Sequence, residues 1–417
     1  MGQRLTEELC NSLLIRAEKN IDLLQALLLH LAWYHHHSVI NPQTTNLIAL
    51  ARALVANLSI HRPPYGRDQT CLPVTFNGAG GPPPQGTLAE PSQETVEEWR
   101  ALAGCYYMSS LTATCWNNSE SLNYTQYLGR VCDRLEAIKF QDSDVVVAHL
   151  VRLQHLASRI NGSLYTEDAP SSTAMTSSRM LIHTFKEDLQ TFFDNIPPAF
   201  QTHRVLRLNY ESTLVSLYEP SIYQQCALEK SARVGMLAIC LQYTRETLTR
   251  LTDPDGPISI ASSYIMVSHL GYLMTVGLRL STLQFEGWNL QEARSILKLD
   301  EIGTALTSLL QQLIETRTTP GIKGDSRDIY LCFLRALGRK RQIYAAFEVR
   351  GNDTIARTPS SGPSTTIIVS PSPLTYDPRF DELMLPDLDP NSWNAFFDNT
   401  MIQDGHNGMN FSTAWST

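Results

Sequence analysis

The chain has 417 residues, 43% of them hydrophobic and 18% charged, with a net charge of −8 and an isoelectric point near 5.8. That length can bury a large core. The acidic balance excludes a protein that holds nucleic acid across its whole surface, leaving only a local basic patch for such contact.

Eight cysteines (Cys10, Cys71, Cys105, Cys115, Cys132, Cys226, Cys240, Cys332) are scattered through apolar helical patterns, none in the close spacing of a zinc knuckle or redox motif. They read as reduced, buried thiols of an intracellular protein. Met1 to Cys10, with Arg4, Glu7 and Glu8, is neither a secretory nor a transit signal. The apolar run Leu23–Leu31 is too short to span a membrane, and Ile258–Leu278 is diluted by Ser259, Ser262, Ser263, Ser268 and His269, so a soluble protein is expected.

In chain order, Leu5–Lys19 reads as a helix, and Ile21–His37 as a second with Leu24, Leu27, Leu28, Leu31 and Tyr34 on one face. His35, His36 and His37 are consecutive, so on a helix they point about 100° apart and cannot share one tetrahedral ion. They suit a solvated helix end, whose partial charge is negative. Asn41 caps a third helix, with Pro42 at its first position, running to about Ile60. From His61 to Pro91 the prolines and glycines predict loop. Gly78-Ala79-Gly80-Gly81 within it has no strand before it and no helix after it, so it is no phosphate cradle.

The stretch that organises the chain follows. Thr95 and Glu98 have capping-box spacing, placing a helix start at about Thr95. Trp99, Leu102, Ala103, Tyr106, Ser110 and Ala113 share one stripe, Met108, Leu111 and Cys115 lie opposite, and no charge occurs from Ala101 to Ser119. A helix apolar or small on every side must be covered on every side. Further helices are expected over Tyr124–Ala137, Asp144–Ile160, Met175–Asn195 (stopped by Pro197-Pro198), Gln201–Leu217, Ala227–Leu251, Ile258–Leu283, Leu290–Thr316 and Asp325–Phe347. No alternating β-branched run defends a sheet, so the fold class is all-α: a large multi-helix body. No nucleophile elbow, phosphate loop or paired-histidine zinc motif is present, and an enzyme is not expected.

Arg339, Lys340 and Arg341, with Arg335 one turn earlier, form the sharpest basic cluster. Two readings stand: a nuclear import signal, or the wet face of an amphipathic helix whose other side carries Phe333, Leu337, Tyr344 and Phe347. The organisation expected is a helical domain over 1–348, a Ser/Thr/Pro linker over 349–375 and an acidic-aromatic tail over 376–417, the last two disordered. The tail carries Asp377, Asp381, Glu382, Asp387, Asp389, Asp398 and Asp404 against Arg379, which is −6 of the chain's −8. Phe380, Leu383 and Met384, then Trp393, Phe396 and Phe397, have helical i, i+3, i+4 spacing after the Asp377-Pro378 and Asp389-Pro390 pairs. This is the pattern of an acidic-hydrophobic activation segment that folds into a coactivator's groove, set against the plainer reading of a solubilising tail.

Glu98-Trp99-Arg100-Ala101-Leu102 followed by Gly104-Cys105-Tyr106-Tyr107 resembles a hallmark of the middle homology region of fungal zinc-cluster transcription factors. Asp22-Leu23-Leu24-Gln25 leading to Leu31-Ala32-Trp33-Tyr34, and Leu47–Leu58 running into Ile60-His61-Arg62-Pro63-Pro64, agree in the same order. The resemblance is best over Leu5–Leu150 and fades to a general helical pattern by Phe347. It implies a nuclear, helical regulatory body that controls a metabolic or biosynthetic gene set. The family's six-cysteine, two-zinc DNA-binding cluster matches no part of the sequence, so its zinc ligands and DNA contacts carry over to no residue and no cofactor is expected. What the resemblance then implies is a truncated zinc-cluster factor, or one acting through a DNA-binding partner or as a homodimer. The alternative is a small-molecule-sensing or scaffolding helical protein that does not act at promoters.

Overall fold

A computed structural model describes residues 2–33, 43–63, 93–116, 121–164, 172–223, 229–253 and 263–315, with 334–335 and 337–338. Every regular element among them is helical: α1 (Gly2–Cys10), α2 (Ile21–Ala32), α3 (Thr44–Asn57), α4 (Gln93–Trp116), α5 (Gln126–Ile138), α6 (Asp142–Leu164), α7 (Ser172–Asp194), the single turn α8 (Pro198–Gln201), α9 (Arg204–Tyr218), α10 (Lys230–Leu251), α11 (Tyr264–Thr282), α12 (Leu290–Leu297) and α13 (Leu299–Glu315). No described helix is long and apolar enough to cross a membrane.

Local chemistry sets several boundaries. Asn20, Thr125 and Asn289 cap α2, α5 and α12, their side-chain oxygens accepting from the Leu23, Leu128 and Glu292 amides. Pro198 opens α8 at a first-turn position, where its missing N–H costs nothing. Lys139 and Lys298 end α5 and α12 in the left-handed conformation, φ 46° and 50°.

The helices stack as one body around a continuous apolar core. α4 lies near the middle of the N-terminal half, packed against α2, α3, α5 and, most extensively, α6. As its uncharged sequence requires, it is covered on both sides: Leu102, Ala103, Tyr106 and Ser110 on one, Met108 and Leu111 on the other, are all buried. Trp99 is only half-buried at the edge of the core. A Cβ at Gly104 would stand 3.6 Å from Leu28 Cδ1, an ordinary van der Waals contact, so α2 packs on α4 here without requiring glycine. In the C-terminal half α9 is central, touching α6, α7, α10 and α11.

Some boundaries differ from those expected. The first helix does not run from Leu5 to Lys19: it widens into a π-helical turn at Asn11–Ile15 and stops at Ala17, φ 53°. α4 starts at Gln93, so Thr95 lies inside the first turn and not at its cap. Gln201–Leu217 is split, α8 ending at Gln201 and α9 starting at Arg204, because His203 is extended. Leu290–Thr316 is two helices broken at Lys298. Gly277 on α11 faces the break: a Cβ there would meet Leu297 at 3.2 Å and Leu299 at 3.3 Å. In a continuous helix these two leucines would point about 200° apart; the left-handed residue between them turns both onto one spot. The expected helix end at His35–His37, the cap at Asn41 and the loop from Pro64 to Pro91 lie outside the described residues.

Candidate functional site

The most constrained polar chemistry in the body starts from α4. Arg100 donates from Nε to Asp144 Oδ1 at 2.6 Å and from Nη2 to Oδ2 at 2.9 Å. Asp144, almost fully buried, also accepts the Gln141 amide at 3.0 Å and so closes the first turn of α6. Burial alone would push this carboxyl up, but the Arg100 guanidinium and the backbone donors outweigh it and hold the group below the usual carboxylate range. One bidentate pair thus fixes the angle between the two most extensively packed helices.

Two turns further along α4, Tyr107 donates to Asn209 Oδ1 on α9 at 2.9 Å, and His269 Nε2 on α11 meets the same oxygen at 3.2 Å. Asn209 returns its amide to the Val205 carbonyl at 2.8 Å. Because the shared oxygen only accepts, His269 carries its proton on Nε2 and is neutral; burial pushes its pKa down to about 4. Its Nδ1 has no partner.

At the other end of α9, Glu219 accepts from Tyr223 at 2.5 Å and Tyr272 at 2.7 Å, with Arg279 donating to Tyr223 at 2.6 Å. Arg233, buried on α10, donates to the Ser221 and Ile222 carbonyls and stacks 4.1 Å from the Phe285 ring centroid. These groups join α9, α10 and α11 across separations of 11 to 60 residues.

The network braces helices; its groups are consumed by one another. Burial pushes the Cys105 and Cys132 thiols up to about 12, and that of Cys240 higher still, so all three are protonated at neutral pH and poor nucleophiles or ligands. No three His, Cys, Asp or Glu side chains among the described residues converge as a metal site. The described cysteines do not fit a two-zinc cluster: Cys10, Cys105, Cys132 and Cys240 sit on four different helices.

Of the residues singled out in the sequence, Phe380, Leu383, Met384, Trp393, Phe396 and Phe397 lie outside the described residues, as do Arg339, Lys340 and Arg341. Beside the basic cluster, Arg335 is exposed and Leu337 buried, as the amphipathic-helix reading requires of those two positions. Sequence reasoning missed the roles of Asn209, His269, Glu219 and Arg279. The available signal was the polar residue inside an apolar run, as at Ser268-His269, although its partner 60 residues away is not readable from the chain.

No family model and no solved structure matches the chain. Curated relatives do. Over 309 residues the chain is 25% identical to transcription factor opdL of Penicillium oxalicum, covering 72% of this chain and 54% of that protein. Over 207 residues it is 25% identical to transcription factor himD of Aspergillus japonicus, covering 49% of this chain and 32% of that protein. The chain therefore spans about half the length of the first relative and about a third of the second.

Proposed function

We propose that this protein is a fungal transcription regulator, and that its helical body is a regulatory domain of the zinc-cluster factor type. The observation that carries the reading is the similarity to a named transcription factor over 309 residues, nearly three quarters of the chain. The all-helical architecture and the placement of the Glu98–Tyr107 stretch support it: Arg100 and Tyr107 of that stretch each tie α4 to a different helix. No six-cysteine block occurs in these 417 residues. Promoter recognition is therefore assigned to a DNA-binding partner, or to a zinc cluster outside the sequence described. The acidic tail, with Trp393, Phe396 and Phe397 as anchors and Phe380, Leu383 and Met384 as a second set, is assigned to coactivator binding. The working compartment is the nucleus, and the regulated genes a metabolic or secondary-metabolite set.

The test is to tether the full chain to an unrelated DNA-binding domain over a reporter. The reading expects activation that falls by most of its value when Trp393, Phe396 and Phe397 become Ala. Asn in place of Asp387, Asp389 and Asp398 is expected to reduce it less, because charge chiefly steers encounter. A silent fusion, or activity indifferent to the aromatics, removes the activation assignment.

A further inference from the structure

Where α7, α9 and α10 meet, four aromatic rings gather. The Phe193 and Tyr210 ring centroids are 4.7 Å apart, and Tyr218 stacks 6.0 Å from Tyr243. The two pairs adjoin, since Tyr243 and Tyr218 both act on the ionisation of Tyr210. Tyr218 is buried, while Phe193, Tyr210 and Tyr243 rest half-buried against the core. At 100° per residue Met236 and Ile239 lie on the Tyr243 face of α10, and Ile239 is exposed.

The distinctive chemistry of this surface lies in its hydroxyls. Elsewhere in the body Tyr107, Tyr223 and Tyr272 each donate to a side-chain oxygen. The hydroxyls of Tyr210, Tyr218 and Tyr243 bond no group among the described residues, and none is sealed in the core. Burial above all pushes Tyr210 and Tyr218 up to about 12 and raises Tyr243, so each keeps its proton and can donate. Around them Arg207 and Arg250 share the Glu211 carboxylate, while Asp194 lies near Tyr210 and Glu246 near Tyr243. Three carboxylates against two cations disfavour an acidic occupant, the chain's own 376–417 tail included.

A polyproline II segment suits such a surface. It has no internal hydrogen bonds, so its carbonyls take donors, and its proline rings pack on aromatic faces. Proline also brings no N–H that would need an acceptor. We propose that this surface binds the chain's own Ser370-Pro371-Ser372-Pro373-Leu374 in that conformation. No charge occurs from Thr358 to Tyr376, which matches a border short of spare cations. About 30 residues separate the segment from Gly338 and can span on the order of 100 Å, so the site is within reach. Tethering supplies a local concentration of about 1 mM, so an intrinsic dissociation constant of about 0.1 mM keeps roughly nine in ten copies docked.

Hydroxyl-radical footprinting of the full chain, read by peptide mass spectrometry, tests this. Replacing Pro371 and Pro373 together with Ala should raise oxidation of Tyr210, Tyr243 and Ile239 about threefold or more, with half-buried Tyr124 as an unchanged reference. Replacing Pro82, Pro83 and Pro84 with Ala should alter none of them. A labelled Val369–Tyr376 peptide, followed by fluorescence anisotropy, should bind the Pro371→Ala, Pro373→Ala chain with a dissociation constant of about 0.1 mM. Adding Tyr210→Phe and Tyr243→Phe to that chain keeps the rings and removes two donors. It should weaken the peptide about tenfold at an unchanged melting temperature. Unaltered oxidation in the Pro371, Pro373 variant, protection that follows Pro82–Pro84 instead, or a peptide indifferent to the missing hydroxyls would each overturn the proposal.

Discussion

Replacing Arg100 with Ala leaves the Asp144 carboxylate, only 2% exposed, with backbone donors in place of a two-pronged guanidinium. Removing one partner of a buried pair costs about 3–5 kcal/mol. Arg100 is itself 31% exposed, so water reaches part of the vacated site and the low end applies, about 3 kcal/mol. For a body of this size that lowers the melting temperature by roughly 4–5 °C. Arg100→Lys keeps the charge and loses the fork, and is expected to cost about half as much. Arg100→Met with Asp144→Leu removes both charges at similar volume and should recover most of the loss. The acid side gives an independent check. The Asp144 carboxyl is held below its ordinary value, so its contribution is present above the unfolded pKa and is lost as pH falls through the lower, folded one. The gap between wild type and Arg100→Ala should therefore close below about pH 4. Urea denaturation followed by far-ultraviolet circular dichroism measures all of this. An Arg100→Ala variant within about 0.5 kcal/mol of the parent at pH 7 would refute the clamp.

Other substitutions probe the rest of the body. Tyr106→Ala, which empties a fully buried aromatic site, should cost about 3–5 kcal/mol, and half-buried Trp99→Ala only about 1–2 kcal/mol; chemical denaturation orders the two. His269 has a folded pKa near 4 against an unfolded value near 6.5, so the unfolded chain binds the proton first and stability falls on acidification, by about 2 kcal/mol between pH 7 and pH 5. His149, His155 and His203, also pushed down by burial, act in the same direction, and His269→Gln should flatten the slope by its share. Gly277→Val forces Leu297 and Leu299 off α11 and should cost about 1–3 kcal/mol by overpacking, read as a lower urea midpoint.

Helix periodicity made most of the body readable in advance, and α4 shows why. Its uncharged run from Ala101 onward permits one environment, and Leu102, Tyr106, Met108 and Leu111 are buried as that run demands. The stop at Pro197-Pro198 was legible because it rests on the chemistry of neighbouring residues. What escaped depends on distant ones. The break at Lys298 has no Pro or Gly beside it in sequence, and Leu297 and Leu299 on either side of it both lie against Gly277 of α11. Arg100 was visible within a recognisable stretch, but its partner lies 44 residues on. Asn209 and His269, 60 residues apart, look in sequence like impurities in apolar helices and become a junction only when α4, α9 and α11 meet.

The account's central claim, that the chain acts on transcription, is tested most directly by chromatin immunoprecipitation of the tagged full chain, paired with transcript profiling after its deletion. The account predicts enrichment at a limited set of promoters, with the transcripts of those same genes changing when the protein is lost. No enriched promoters together with an unchanged transcript profile, in cells where the chain is expressed and folded, would contradict it.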